Sequence, residues 1–304
     1  MNLNDEVICG FLVTAEHKHI NAVYLDLMQE FDRLCRENGF TYWLIFGGLI
    51  GAVRHKGFIP WDDDIDLAMP RKDFDALQKM TSEDFGAREP YFLQNPTTQP
   101  GRETILIRFR RSDTTNIRKT DWENIRRNNG TDENLGISLA IFPLDNYPKT
   151  ELGFKLQRGL FQLSFAIMEH YHSEKHGFLH LAARCIVGLV GERNFSILRH
   201  SYRLSRKNRS GKVHCFHTFY PTFDTHYDAA DFSQTVYLPF EDIQVPAPVG
   251  YDDVCRVTYG NYMEFPPPEA RRMEHGGVVR WDMPYKEAVR QLLSGEMIFP
   301  GEQT

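Results

Sequence analysis

Between Trp61 and Leu67 the chain places four carboxylates in five positions, Asp62, Asp63, Asp64 and Asp66. Acids this dense repel one another at neutral pH unless something positive sits among them. Asp64 and Asp66 flank Ile65, so in a strand both carboxylates face one side while the isoleucine faces a core. Two hard oxygen ligands on one rigid face suit Mg²⁺ (or Mn²⁺), which takes one or two protein carboxylates and fills its shell with water and substrate phosphate. Phosphoryl transfer is the chemistry such a site supports. A solvated loop or a calcium loop is the competing reading, but a calcium loop needs a glycine at its sixth position and a distant glutamate. Met69 to Arg71 supply neither.

The acids need positioning elements. Ile20, Val23, Leu27, Phe31 and Leu34 recur at helical spacing, and Asn38-Gly39 supplies the stop. Residues 40–46 read as a buried strand ending at Gly47-Gly48, followed by a short helix over 49–55. Lys56-Gly57 and Pro60 form a turn, residues 65–69 a second strand, and Pro70 opens a helix with Phe74 and Leu77 inward. Residues 104–109 and 136–142 read as further strands, with a polar stretch over 114–133 expected to be mobile. Residues 152–205 read as helical with breaks at Gly177 and Gly191. Residues 236–248 read as short strands, and 251–259 as a helix. The expected organisation is a mixed α/β core over residues 1–150, a helical insertion over 151–212, and a C-terminal segment over 213–304 that packs back on the core.

Composition narrows the function. The 304 residues carry a net charge of −6 with no basic stripe, which argues against a nucleic-acid partner. Five cysteines without a CxxC pair point to a reducing, cytoplasmic setting rather than a disulfide framework. No signal peptide is visible at the start, and the longest apolar stretch, Phe178 to Val190, is too short and too polar to span a bilayer. That leaves room for peripheral membrane contact only.

A diglycine at a strand-to-helix junction lets a nucleotide phosphate approach the backbone, because no Cβ intervenes. The order strand, Gly47-Gly48, short helix, Asp-x-Asp strand resembles the nucleotidyltransferase superfold. More specifically, the run from Gly47 through Arg54-His55-Lys56-Gly57 to Asp66 resembles the signature of the LicD family. The similarity continues at Ile141-Phe142-Pro143-Leu144-Asp145, Leu238 to Asp242, Tyr251-Asp252, and Tyr259 to His275. Family members move phosphocholine or phospho-alditols from CDP-activated donors to glycans. The resemblance implies Mg²⁺ on Asp64 and Asp66, donor phosphates at Gly47 and Gly48, and a pyrophosphate near Arg54 and His55. It implies a CDP-choline or related CDP donor and a glycan acceptor.

Other residues carry two readings each. Arg54 either meets the pyrophosphate or pairs with Asp62 or Asp63. Arg108 and Arg110, on one strand face, either contact phosphate or answer the acidic run. His275 is a base, a phosphate ligand or structural. Where the family places an aspartate before Phe-Pro-Leu-Asp, this chain has Ala140, so Asp145 or Asp62 substitutes, or the acid belongs elsewhere, or activity is impaired. His172, His176 and His180, with Glu169, His170 and Glu174 nearby, could line a Zn²⁺-binding helix face or a solvated one. Trp61, Trp281 and the aromatics of 216–227 could cage a quaternary ammonium or fill a core.

Overall fold

A computed structural model of the chain describes residues 1–99, 106–171, 177–190, 210–215, 225–273 and 276–302. In chain order these form β1 (Glu6–Ile8), β2 (Phe11–Val13), α1 (Ala15–Asn38), β3 (Trp43–Ile45), α2 (Phe46–Ile50), β4 (Asp66–Pro70), α3 (Arg71–Leu77) and α4 (Ser82–Phe85). They continue as β5 (Tyr91–Gln94), β6 (Ile107–Arg111), β7 (Thr115–Arg118), α5 (Lys119–Asn128), β8 (Ile137–Asn146), α6 (Glu151–Tyr171) and α7 (Phe178–Val190). The remainder are β9 (Lys212–Cys215), β10 (Tyr227–Asp228), β11 (Thr235–Phe240), β12 (Ile243–Pro248), α8 (Tyr251–Tyr259), β13 (Gly277–Arg280) and α9 (Tyr285–Ser294). The chain divides into two units, one of residues 1–143 with 233–304, the other of residues 144–232.

The first unit has the expected mixed α/β core. Its sheet pairs β3 with β4, sets β4 beside β8, and continues through β6 to β5. Helix α1 begins where the Thr14 hydroxyl accepts from the His17 amide, and it ends at Gly39, whose φ of 68° only glycine adopts without strain. Its Leu27, Phe31 and Leu34 are buried against the sheet. The Phe31 ring meets Phe109 at 5.3 Å, Tyr42 at 5.0 Å and Phe85 at 5.8 Å. Each such buried ring contributes about 1.5–3 kcal/mol, so this cluster holds the helix behind the site.

Residues 114–133 are a correction to the sequence reading. They form β7 and α5 instead of a mobile stretch, because β7 pairs with β13 (Thr115↔Arg280, Ile117↔Val278). Ile117, Trp122 and Ile125 bury with Val289, Leu292 and Phe299. Those partners lie more than 150 residues away, so no local pattern announces them. The second unit holds the end of β8, which pairs with β9, then β10 against β9 and the two helices α6 and α7. Its limits at Leu144 and Phe232 compare with 151 and 212 expected for the helical insertion. Among the described residues, no helix is long and apolar enough to cross a membrane.

Candidate active site

The acidic run is held between α1, the α2 turn and β4. Ile45 faces Asp66 across the β3–β4 pair, which fixes Asp66 at the first position of β4. Asp62, Asp63 and Asp64 precede the strand and offer carboxylate oxygens within 4.8 Å of one another. Asp66 lies outside that trio but shares its field. Burial, then the charges of Asp64 and Asp62, push the Asp66 carboxyl well above the ordinary carboxylate range, while Arg108 and Arg118 oppose the rise. Arg118 Nη2 stands 3.9 Å from Asp64 Oδ2. From α1, the Tyr24 hydroxyl donates to the Asp63 carbonyl at 3.0 Å, and burial followed by Asp64 and Asp63 keeps that phenol protonated. Four crowded acids, opposed by Arg108 and Arg118, are a set that a divalent cation would relieve.

The glycines have physical reasons in the same place. A Cβ at Gly47 would stand 2.2 Å from Asp62 Oδ2, so this glycine lets the acidic run lie against the backbone. At Gly48 a Cβ would meet the Leu44 side chain at 2.9 Å, a packing constraint. Gly47→Ala is therefore expected to turn the Asp62 carboxylate out of the trio. Because a side-chain tip is what must move, the stability loss should stay below about 2 kcal/mol. Denaturant unfolding beside a metal titration by calorimetry checks this, with weaker metal binding and near-normal unfolding as the expected pair.

On both sides of the glycines the backbone departs from regular helix. Phe46 takes φ 53°, a left-handed conformation uncommon for a bulky residue, and its ring packs edge-on against Phe142 at 5.6 Å. Residues Gly51–His55 then form a π-helical turn, closed by Lys56 at φ 60°. Such turns concentrate at functional sites. The widened turn delivers Arg54 and His55 to a segment from the far end of the chain. Arg54 Nη1 donates to the carbonyls of Tyr262 at 2.5 Å and Glu264 at 3.1 Å, and its guanidinium lies 5.0 Å from the Phe265 ring centre. These bonds tie Arg54 to the C-terminal segment.

His55 stacks on Phe265 at 5.4 Å, meets Trp61 edge-on at 5.9 Å, and accepts from Arg54 Nε at 3.0 Å. Burial, then the Arg54 charge, lower its pKa to about 4. The ring is neutral at pH 7 and brings no positive charge to a phosphate. The unfolded chain protonates this histidine near pH 6.5, whereas the folded chain refuses the proton until about pH 4. Its contribution to stability is thus complete above pH 6.5 and lost as pH falls toward 4. After discounting for partial exposure this amounts to about 1–2 kcal/mol. His55→Gln is expected to flatten that part of the stability–pH curve, measured by denaturant unfolding at pH 7 and 4.5 (about neutral and mildly acidic).

Trp61 and Phe265 form a corner with rings 6.0 Å apart and 81° between planes. Arg271 lies over both rings, 5.1 Å from Trp61 and 5.5 Å from Phe265, and also donates to the carbonyls of Cys9 and Pro266. Trp281 packs elsewhere, 4.2 Å from His19. Residues 216–224 and His275 lie outside the described residues, as do His172, Glu174 and His176. His180 Nδ1 pairs with the His170 carbonyl at 2.9 Å.

Arg108 and Arg110 occupy alternate positions of β6. Arg108 acts on Asp66, whereas Arg110 is buried and donates to Gln94 Oε1 and the Gly136 carbonyl, each at 2.6 Å. Ala140 sits directly opposite Arg108, and its amide donates to the Ile65 carbonyl at 3.1 Å. The position of the missing family acid is thus a methyl group beside Arg108 and the acidic run. Asp145 is buried in the second unit, opposite His214. The sequence reading missed Arg118 and Tyr24. Arg118 lies in the stretch expected to be mobile, and helical spacing through Val23 and Leu27 gives no sign that Tyr24 reaches the Asp63 carbonyl.

The geometry can be set beside known proteins. The family described as LicD/FKTN/FKRP, nucleotidyltransferase domain, matches residues 39–151. The chain is 24% identical over 263 residues to the lipopolysaccharide cholinephosphotransferase LicD of Haemophilus influenzae, covering 83% of this chain and 93% of that protein. It is 35% identical over 80 residues to an uncharacterized protein of Rickettsia prowazekii, 26% of this chain and 29% of the other. Over 49 residues it is 39% identical to the ribitol 5-phosphate transferase FKRP of Homo sapiens, 16% of this chain and 10% of that one. The diglycine, the acidic run and strands β3, β4, β6 and β8 all fall inside residues 39–151, the part of the chain that matches the LicD-type nucleotidyltransferase domain.

Proposed function

We propose that this protein transfers phosphocholine from CDP-choline to a sugar of a cell-surface glycan or its precursor, releasing CMP, in the cytoplasm. The likeness to the Haemophilus influenzae cholinephosphotransferase, which runs through most of both chains, carries this reading. Asp64 and Asp66, with Asp62 and Asp63 beside them, would hold Mg²⁺ or Mn²⁺. Bound there, the ion would neutralise charge on the donor pyrophosphate as CMP departs. The chain's own residues position and balance charge. Arg108 and Arg118 temper the acidic field, Gly47 admits Asp62 to the backbone, and Arg54 fixes the C-terminal segment against the aromatic corner. Phosphoryl transfer asks the protein chiefly for alignment and electrostatic stabilisation. With Ala140 in place of an acid and Asp145 buried opposite His214, Asp62 is the remaining candidate base for the acceptor hydroxyl.

A second donor reading, CDP-ribitol or CDP-glycerol, is favoured by the 39% identity to the ribitol 5-phosphate transferase across 49 residues. Ala140 favours a third, a catalytically weak nucleotide- or glycan-binding subunit. Incubating the protein with Mg²⁺ and each donor, and measuring CMP release with and without glycan acceptor, separates them. Acceptor-dependent release from CDP-choline alone supports the proposal, and release from an alditol donor alone moves the assignment there. Nucleotide binding without turnover of any donor points to the subunit.

A further inference from the structure

We propose that α6 and α7 seat the protein on an anionic lipid surface, lying along the headgroup layer. The two helices pack on each other through Val187 against Ile167 and Tyr171. Helix α6 buries Phe154, Gln157, Phe161 and Ser164, a spacing that marks its inner face. Its other side carries Leu152, Leu156 and Leu163, again at helical spacing, and Leu152 is 77% exposed. On α7 the same geometry recurs. Ala183 and Val187 are inward, while Phe178, Leu181 and Leu189 share one outward stripe, with Phe178 84% and Leu189 88% exposed. Leucine and phenylalanine held in water to this extent, at helical spacing on two packed helices, are what an interaction surface shows.

Charge decides the occupant. Residues 144–232 carry twelve lysines and arginines against eight aspartates and glutamates, a net +4. The whole chain is −6, so the remaining residues carry −10. The apolar stripes therefore belong to the one basic portion of an acidic protein. Among the described residues Lys155, ion-paired with Glu151 at 2.7 Å, and Arg158 are interleaved with the leucines of α6, and Arg184 is exposed between Leu181 and Leu189. Apolar stripes set in basic sequence match an anionic bilayer, where acyl burial and headgroup attraction add. Neither helix crosses: the 13 residues of α7 extend about 20 Å, short of the roughly 30 Å hydrocarbon core, and α6, at 21 residues, is not apolar enough to span.

The test is sedimentation of the full chain with vesicles of phosphatidylcholine, with and without about 30 mol% phosphatidylglycerol. Binding to the anionic vesicles, weakened by salt and at least tenfold weaker for plain phosphatidylcholine, is expected. The pairs Leu156→Glu with Leu163→Glu, and Phe178→Glu with Leu189→Glu, should each cut partitioning at least tenfold. All four side chains are exposed, so helical circular dichroism and melting should match the parent. Leu156→Gln with Leu189→Gln, which adds no charge, should weaken binding in the same direction. Equal binding by the variants, or no binding to anionic vesicles, overturns the proposal. So does a concentration-dependent dimer in sedimentation velocity that these substitutions dissolve, since a second copy would then cover the stripes.

Discussion

Asp66→Asn is expected to stop CMP release from the CDP-linked donor while leaving the melting midpoint unchanged or raised. The two effects have separate causes in one place. Asp66 begins β4 at a register fixed by Ile45, so an asparagine of equal size keeps the packing. The native carboxyl is destabilised by burial and by Asp64 and Asp62, and removing its charge relieves that repulsion. Function moves the other way, because the amide is a poorer oxygen ligand for a hard dication and no longer balances its charge. A loss of at least about 10²–10³ in turnover follows from removing one major electrostatic element of the transition state. Mg²⁺ offers a further check, since an ion that binds only the folded state raises stability in proportion to ln(1 + [L]/Kd). The parent should melt higher with millimolar Mg²⁺ (on the order of ten times Kd or more), and Asp66→Asn should not. If the variant turned over normally, the metal assignment would be wrong.

Gly51→Ala should lower stability by about 3 kcal/mol, near the upper end for overpacking. An added Cβ would stand 2.5 Å from the Gly57 carbonyl oxygen and 3.4 Å from Phe240. Unlike the carboxylate beside Gly47, these neighbours have nowhere to go. The Gly57 amide donates to the Gly51 carbonyl, and Glu241 bonds the Lys56 carbonyl through its own amide. Phe240 is fully buried and meets Phe58 edge-on at 4.8 Å. The alanine must therefore push the π-helical turn or the β11–β12 hairpin bodily. Urea unfolding measures the cost, and an unchanged midpoint would mean that the turn is softer than its contacts indicate.

Much of the acidic site could be read from residue order. Asp64-Ile65-Asp66 announces a strand entry with its isoleucine inward, and Ile65 is buried as that alternation requires. Helix α1 showed itself through Val23, Leu27, Phe31 and Leu34 and through Gly39. What stayed hidden depends on partners distant in the chain. Ile117, Trp122 and Ile125 are too sparse to declare a buried face until α9 supplies Val289 and Leu292. The resemblance implies a pyrophosphate for Arg54 and the acidic run offers it Asp62 or Asp63, while its carbonyl partners at Tyr262 and Glu264 lie too far along the chain for either reading to show. The left-handed Phe46 is invisible for another reason. Phenylalanine has no preference for that conformation, and the surrounding fold imposes it. The edges of the second unit, at Leu144 and Phe232, fall within a strand and a helical turn, where composition does not change sharply.

The struts from Arg54 and Arg271 also set a schedule for synthesis. Arg54 bonds the Tyr262 carbonyl across 208 residues, and Arg271 reaches Cys9 across 262. At translation rates of roughly 5–20 residues per second, the acidic run waits about 10–40 s for the wall that closes it. During that interval the whole of the second unit emerges from the ribosome. The nascent glycine–aspartate region must therefore idle with Trp61 and His55 uncovered, a natural client for chaperones that shield aromatic surface. The last-made part of the wall completes the first-made part of the site.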